Sequence, residues 1–304
     1  MTIPEAPTPV AAPPVTAPRF GLLASAARPD MPFDQWRNGI TFRPSLMLGN
    51  IVEPAVGTAE SRNGYFWWVF DDAGDGGDPV TKDAGFRPNW NTWRPYGIIE
   101  AQQGTALLLD DDQYLANARQ LLATNQSRKM EKELWTGNIA TFTGTENAYL
   151  TQLFGLSDLG SGGPVAAWSA LQGYIADNQW GRGMIHVAPK LIAYLENAYL
   201  LRREGNLILD SLDNIVVSGN GYPGTGPDNT PADPGTTWAY ATPIVQVVED
   251  TIDVVPGSLS EALIRGTNQV QYRAERMVMA WWDNQANHAG VEVTLCDPCG
   301  DLVS

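Results

Sequence analysis

DDDQYLANARQLLATNQSRKMEKELWTG, residues 110–137, is the stretch from which the rest of the chain is read. Asp110, Asp111 and Asp112 follow Leu107–Leu109. Acidic residues ahead of an apolar-periodic run cap a helix and suit the positive end of its dipole. Tyr114, Leu115, Ala118, Leu121 and Leu122 then recur at helical spacing. Arg128, Lys129 and Lys132 crowd the last turns, where cations are favoured, and Gly137 can close the helix as a left-handed cap. No Pro or Gly interrupts Asp110–Thr136. At 1.5 Å per residue the helix spans about 40 Å. Its first half carries one apolar stripe. Its second half, Thr124–Lys132, is nearly all polar and predicts a helix buried on one side only, a strut. Such a strut fits the solvated surface helix of an ordinary enzyme or the spine of a subunit that spans distance in an assembly.

The chain has 304 residues, 43% of them hydrophobic, enough for one large domain or two modest ones with a substantial core. No run of about eighteen apolar residues could cross a membrane. The N-terminus shows no basic region followed by an apolar core, so no secretory signal is expected. The formal charge of −15 argues against an electrostatic grip on nucleic acid, which needs clustered Lys and Arg. Two cysteines occur, Cys296 and Cys299. One CxxC pair with only His288 near it falls short of the four ligands of a structural zinc site, and no disulfide framework is present. The pair reads as a turn in the tail, and the chain as cytosolic in origin.

Met1–Pro18 is rich in Pro, Ala and Thr and predicts an extended, polyproline-like arm. Trp36, Ile40, Phe42, Leu46 and Leu48 alternate, so part of Phe33–Leu48 should be strand. Two aromatic flanks follow, Tyr65, Phe66, Trp67, Trp68 and Phe70, then Phe86, Trp90, Trp93 and Tyr96. Between them lies the acidic run Asp71–Asp78, with Ala73 where a calcium ligand is wanted and Lys82 where the bidentate Glu should be, so it reads as a flexible acidic tip. The whole looks like a long two-stranded excursion whose aromatic patch marks either an interface or strands packed on the chain's own core.

Beyond Gly137, Ala148–Phe154 is a short apolar piece, and Gly160–Pro164 reads as a linker. Pro164–Asp177 and Pro189–Arg203 are predicted helices. Gly181–Val187, Ile215–Val217, Ile244–Val255, Val270–Ala280 and Val291–Leu295 are predicted strands, with a Gly/Pro-rich loop over Gly219–Thr236. The order is α+β, without the repeated units of a parallel doubly wound sheet.

Tests for chemistry are negative. Gly219-Asn-Gly221-Tyr-Pro-Gly224 fits GxGxxG, but Pro223, Pro227, Pro231 and Pro234 forbid the helix a dinucleotide site requires. His186, in Ile-His-Val, reads as a histidine hydrogen-bonded at a strand–helix junction rather than a catalyst. Asp250 and Asp253 are a candidate carboxylate pair for glycoside hydrolysis, and equally fit a half-solvated strand. No catalytic, cofactor-binding or metal residue is assigned.

Three segments carry a resemblance: Met184–Leu195, Asn214–Pro227 and Trp238–Val245. In that order they resemble the major capsid proteins of tailed bacteriophages, particularly those of actinobacteria, which have the Hong Kong 97-like (Johnson) fold. The resemblance covers about Phe33–Leu295. It implies an α+β Hong Kong 97-like fold with residues 1–35 as N-terminal arm and 49–96 as extended loop. Residues 36–48, 97–163 and 256–290 would form a peripheral domain with spine helix 110–137, and 164–255 with 291–304 an axial domain.

The same resemblance implies a structural, non-enzymatic subunit. It would self-assemble as hexamers and pentamers into an icosahedral head around double-stranded DNA, without sequence-specific binding. A separate scaffold protein and a portal would be partners, a decoration protein could be another, and no membrane is implied. The location would be the virion capsid after synthesis in the host cytoplasm. Tyr65, Phe66, Trp67, Trp68, Phe86, Trp90, Trp93, Tyr222, Arg128 and Lys129 are the candidate inter-subunit contacts. Some family members crosslink covalently through a loop lysine and an asparagine; Lys82 lies in that region but no matching partner is identifiable, so no crosslink is expected. Deleting Gly64–Trp93 should leave a folded subunit that forms no shell. An acidic glycoside hydrolase and a phage decoration or tail protein are the competing readings.

Overall fold

Among the described residues, the buried apolar side chains form two clusters on opposite faces of the seven-stranded sheet, and one of them also takes in the five-stranded sheet. A computed structural model of the chain describes residues 20–42, 91–105, 111–145, 147–178, 181–267, 269–283 and 288–295.

From the N-terminal side, two single-turn helices, α1 (Leu22–Ser25) and α2 (Phe33–Trp36), lead into β1 (Ile40–Phe42). β1 pairs antiparallel with β2 (Asn91–Trp93), with Phe42 opposite Asn91. β3 (Tyr96–Thr105) precedes the long helix α3 (Asp111–Thr136) and the short α4 (Asn138–Thr143). β4 (Leu156–Gly162), α5 (Pro164–Asn178), β5 (Gly183–Val187) and α6 (Pro189–Asn197) follow. Next come β6 (Leu201–Glu204), β7 (Leu207–Asp210), β8 (Ile215–Ser218) and β9 (Thr236–Pro243). β10 (Gln246–Glu249), β11 (Asp253–Val255), α7 (Leu259–Ala262), β12 (Leu263–Ile264), β13 (Gln269–Trp281) and β14 (His288–Thr294) complete the described elements.

The larger sheet runs β4-β14-β9-β5-β8-β7-β6. β14 is parallel to β4 and β5 to β8, and the other pairs are antiparallel. Strand alternation explains the two clusters. Ile185, Val187, Val216, Ala239 and Ala241 pack with Trp168, Leu171 and Ile175 of α5 and Leu191 of α6. Met184, Val217 and Tyr240 turn to the opposite face, toward α3. β5 is buried along its whole length because both its faces are covered. The second sheet is organised on the thirteen-residue β13, with β3 along one side and β10, β11 and β12 in succession along the other. α3 packs on β3 and β13 and on the helix-facing side of the larger sheet, so both sheets share it.

Sequence and structure agree on α3, and Gly137 closes it at φ 59°, where an added Cβ would lie 2.2 Å from the Tyr149 ring. The second half of α3 differs from expectation. Gln126, Ser127, Glu131, Glu133 and Thr136 are buried rather than solvated, because each is supplied with hydrogen-bond partners by distant segments or by its own helix. Trp36 sits in a helical turn instead of a strand. The expected linker 160–164 begins as the end of β4. The helix expected over Pro189–Arg203 stops at Asn197: Tyr199 takes a left-handed conformation (φ 56°), and Leu201–Glu204 form an edge strand. β4 and all of β14 belong to the larger sheet, while β10 and β11 pair with β13.

Candidate functional site

α3 is the element where distant parts of the chain converge, and its buried polar side chains show how. Glu131 is completely buried. Its Oε1 accepts from the Leu22 backbone N–H (3.0 Å) and the Ser127 hydroxyl (2.8 Å), and its Oε2 from the Gly221 N–H (2.9 Å). Burial pushes its pKa up, and the hydrogen bonds from Gly221, Ser127 and Leu22 oppose that. The backbone comes this close because glycines line the carboxylate. A Cβ at Gly21 would lie 2.4 Å from Oε1, one at Gly219 2.3 Å from the carboxyl carbon, and one at Gly221 2.2 Å from the Arg128 carbonyl oxygen.

One turn on, Trp135 donates to the Thr225 hydroxyl (3.0 Å) and packs edge-on against Tyr240, ring centres 5.0 Å apart. Tyr222 packs on the same indole, and its hydroxyl lies 2.9 Å from His186 Nδ1, while Nε2 lies 2.9 Å from the Thr242 hydroxyl. Burial, with His288 adding, lowers the His186 pKa to about 3. His288 is lowered to about 4 by burial, against the backbone of Gln152 and Leu150. Two buried imidazoles near 3 and 4 are neutral at physiological pH. Toward the other sheet, Arg276 joins Gln126 (2.8 Å) to Glu249 (2.7 Å), and Arg28 reaches the same Glu249 (2.6 Å). Glu133 accepts from the N–H groups of Ile139 and Ala140 and starts α4. These are positioning contacts, to backbone N–H groups at Leu22, Gly221, Ile139 and Ala140 and between side chains at Gln126, Arg276 and Glu249.

Among the described residues, no group of three or more His, Cys, Asp or Glu is placed to hold a metal ion. No described helix is long and apolar enough to cross a membrane. His186 is the hydrogen-bonded histidine the sequence predicts. Asp250 accepts from the neighbouring Thr251 N–H, and Asp253 is exposed on β11.

The structure places Trp93 and Tyr222, candidates for subunit contact, inside the chain's own core. Trp93 is 1% exposed and packs edge-on against Trp282, and Tyr222 is 4% exposed. Trp93 therefore belongs to the body, and a deletion running to it would remove a core side chain. Arg128 is exposed, and Lys129 is half-buried, 2.8 Å from Glu100 and bonded to the Ile99 carbonyl. Tyr65, Phe66, Trp67, Trp68, Phe86 and Trp90 lie outside the described residues, as do residues 71–78, Lys82, Cys296 and Cys299. Sequence reasoning missed Glu131, although glycines at 219 and 221 are the kind of spacing that lets backbone approach a side chain closely.

A spine helix shared by two sheets, one built on a single long strand and the other a mixed seven-stranded sheet, with paired strands at the base of residues 43–90, is the Hong Kong 97-like fold. The chain superposes on the capsid of an empty GTA particle with a TM-score of 0.53 at 12% identity, over 96% of this chain and 95% of the other. On the capsid of the native GTA particle the TM-score is 0.50 at 12% identity, over 97% and 96%. A structure of Mycobacterium phage Ogopogo aligns at 11% identity over 96% and 97%, with a TM-score of 0.48. No protein-family model and no curated protein matches the sequence.

Proposed function

We propose that this chain is the major capsid protein of a tailed bacteriophage, a structural subunit that assembles as hexamers and pentamers into the icosahedral head around double-stranded DNA. One observation carries the reading: the likeness to the GTA capsids runs over 96% of the chain, so the fold is shared as a whole. The physical demands agree. A shell subunit needs reach and repeated contacts rather than a catalyst.

On this reading residues 1–35 are an arm, the extended loop expected over 49–96 ends before β2, and Arg128 and Lys129 are candidates for contact between copies, together with the aromatic residues 65–68, 86 and 90. A separate scaffold protein, a portal and a decoration protein are the expected partners, with synthesis in the host cytoplasm. Packaged DNA lies nearby without being gripped, as the charge of −15 favours. The glycoside hydrolase alternative gains nothing from Asp250 and Asp253, whose surroundings are those of strand-end residues.

Electron microscopy of the recombinant chain, expressed alone and with a candidate scaffold, tests the reading. Capsomers or closed shells are expected. A strictly monomeric species at every salt concentration, with and without scaffold, overturns it.

A further inference from the structure

The GxGxxG-like loop 219–224 closes on the Glu131 carboxylate, to which the Gly221 N–H donates. We propose that Glu131 is an internal clasp that holds the N-terminal segment 20–28 and the loop 219–236 to the spine helix together, so that neither is released without the other. The two backbone donors it receives lie 109 and 90 residues away in sequence. Each oxygen points at a different segment. The glycines at 21 and 219 leave no room for a side chain between carboxylate and backbone.

The coupling follows from burial. A carboxylate inside the protein is tolerated only while its oxygens are hydrogen-bonded. Peeling away Leu22 would leave Oε1 with Ser127 alone, and peeling away the loop would leave Oε2 with no donor among the described residues. Loss of either segment therefore weakens the hold on the other. The segment's remaining ties run to both sheets. Phe20 O accepts from Ser218 N (3.1 Å) beside β8, and Ala27 exchanges two backbone hydrogen bonds of 2.9 Å with Val245 and Val247. Arg28 meets Glu249 on β10. Segment 20–28 is thus a strap across both sheets, held at Leu22 by Glu131. The inference concerns the single subunit and stands whether or not copies assemble.

The experiment uses the full chain as unassembled subunit and compares wild type with Glu131→Gln, which keeps the size of the side chain but replaces one of its two acceptor oxygens with an NH2, leaving a single acceptor where Leu22 and Gly221 each need one. Amide hydrogen exchange at Leu22 and Gly221 should accelerate together, at least tenfold, while Ile185 in β5 stays protected. Chymotrypsin cleavage at Leu22–Leu23 should accelerate in parallel. Wild-type protection at either amide, or release of one without the other, overturns the clasp. Should Glu131→Gln fail to fold, Ser127→Ala, which removes one hydrogen bond from the same carboxylate, is read in the same way with a smaller joint acceleration; unchanged exchange at both amides then overturns it.

Discussion

Trp93 shows how one side chain changes the meaning of a segment. Its indole packs edge-on against Trp282 and is 1% exposed, so it anchors the outgoing loop to the body. Trp93→Ala should cost about 3–5 kcal/mol of subunit stability, read as a lower denaturant midpoint. A loss below about 1 kcal/mol would return Trp93 to the list of surface contacts. His186 gives a second prediction at this scale. Its folded pKa is lowered to about 3 from an ordinary 6.5, so the unfolded chain binds more protons as pH falls between those values. The stability contributed by the neutral imidazole is therefore present above pH 6.5 and is lost as pH falls toward 3. The slope approaches about 1.4 kcal/mol per pH unit. His288, lowered to about 4, adds a slope of the same sign, whereas Glu131, shifted upward, opposes it. His186→Asn should flatten the stability–pH curve below pH 6.5 by about that one-histidine slope, measured by urea unfolding at stepped pH. An unchanged slope would mean that the imidazole takes up its proton as readily in the folded protein as in the unfolded chain.

Among the elements, the β1–β2 pair and α3 matter most. Phe42 stands opposite Asn91, so the intervening residues leave and return through one antiparallel pair. That register suits a two-residue turn. Replacing residues 43–90 by Asn-Gly should leave far-UV circular dichroism and thermal midpoint nearly unchanged in the rest of the chain and abolish shell formation. Shells of normal size from this variant would show that the removed loop does not clamp copies together. The expected deletion of 64–93 is the wrong cut, since it takes the β2 strand and a core indole with it. In α3, the pattern of Tyr114, Ala118 and Leu122 made the first half legible in sequence. The second half was not, because the burial of Gln126 and Glu131 depends on Arg276 and Gly221, 150 and 90 residues away.

At the scale of the whole molecule, charge opposes association. Copies carrying −15 each repel one another, and salt screens that repulsion within a Debye length of about 8–10 Å. Shell assembly should therefore accelerate as sodium chloride rises from 0.05 to about 0.5 M, followed by light scattering. Slower assembly with salt would mean that opposite charges meet across the contacts and dominate the net charge. The strap, the spine helix and the loop 219–236 together fix how the two sheets sit on α3, so the rigid subunit that such assembly requires is built from contacts within one chain.

By itself the sequence determined what is decided locally. Period and the left-handed glycine marked α3 and its end, the β-branched run at Ile215–Val217 marked a buried strand, and the prolines after Gly221 argued against a nucleotide-binding helix. The tertiary structure alone decided strand order, the interior position of Trp93 and Tyr222, and the place of Glu131. The physical reason is that backbone preference acts over a few residues, whereas the burial of a polar or aromatic group is settled by partners that only the folded chain brings within hydrogen-bond or van der Waals reach.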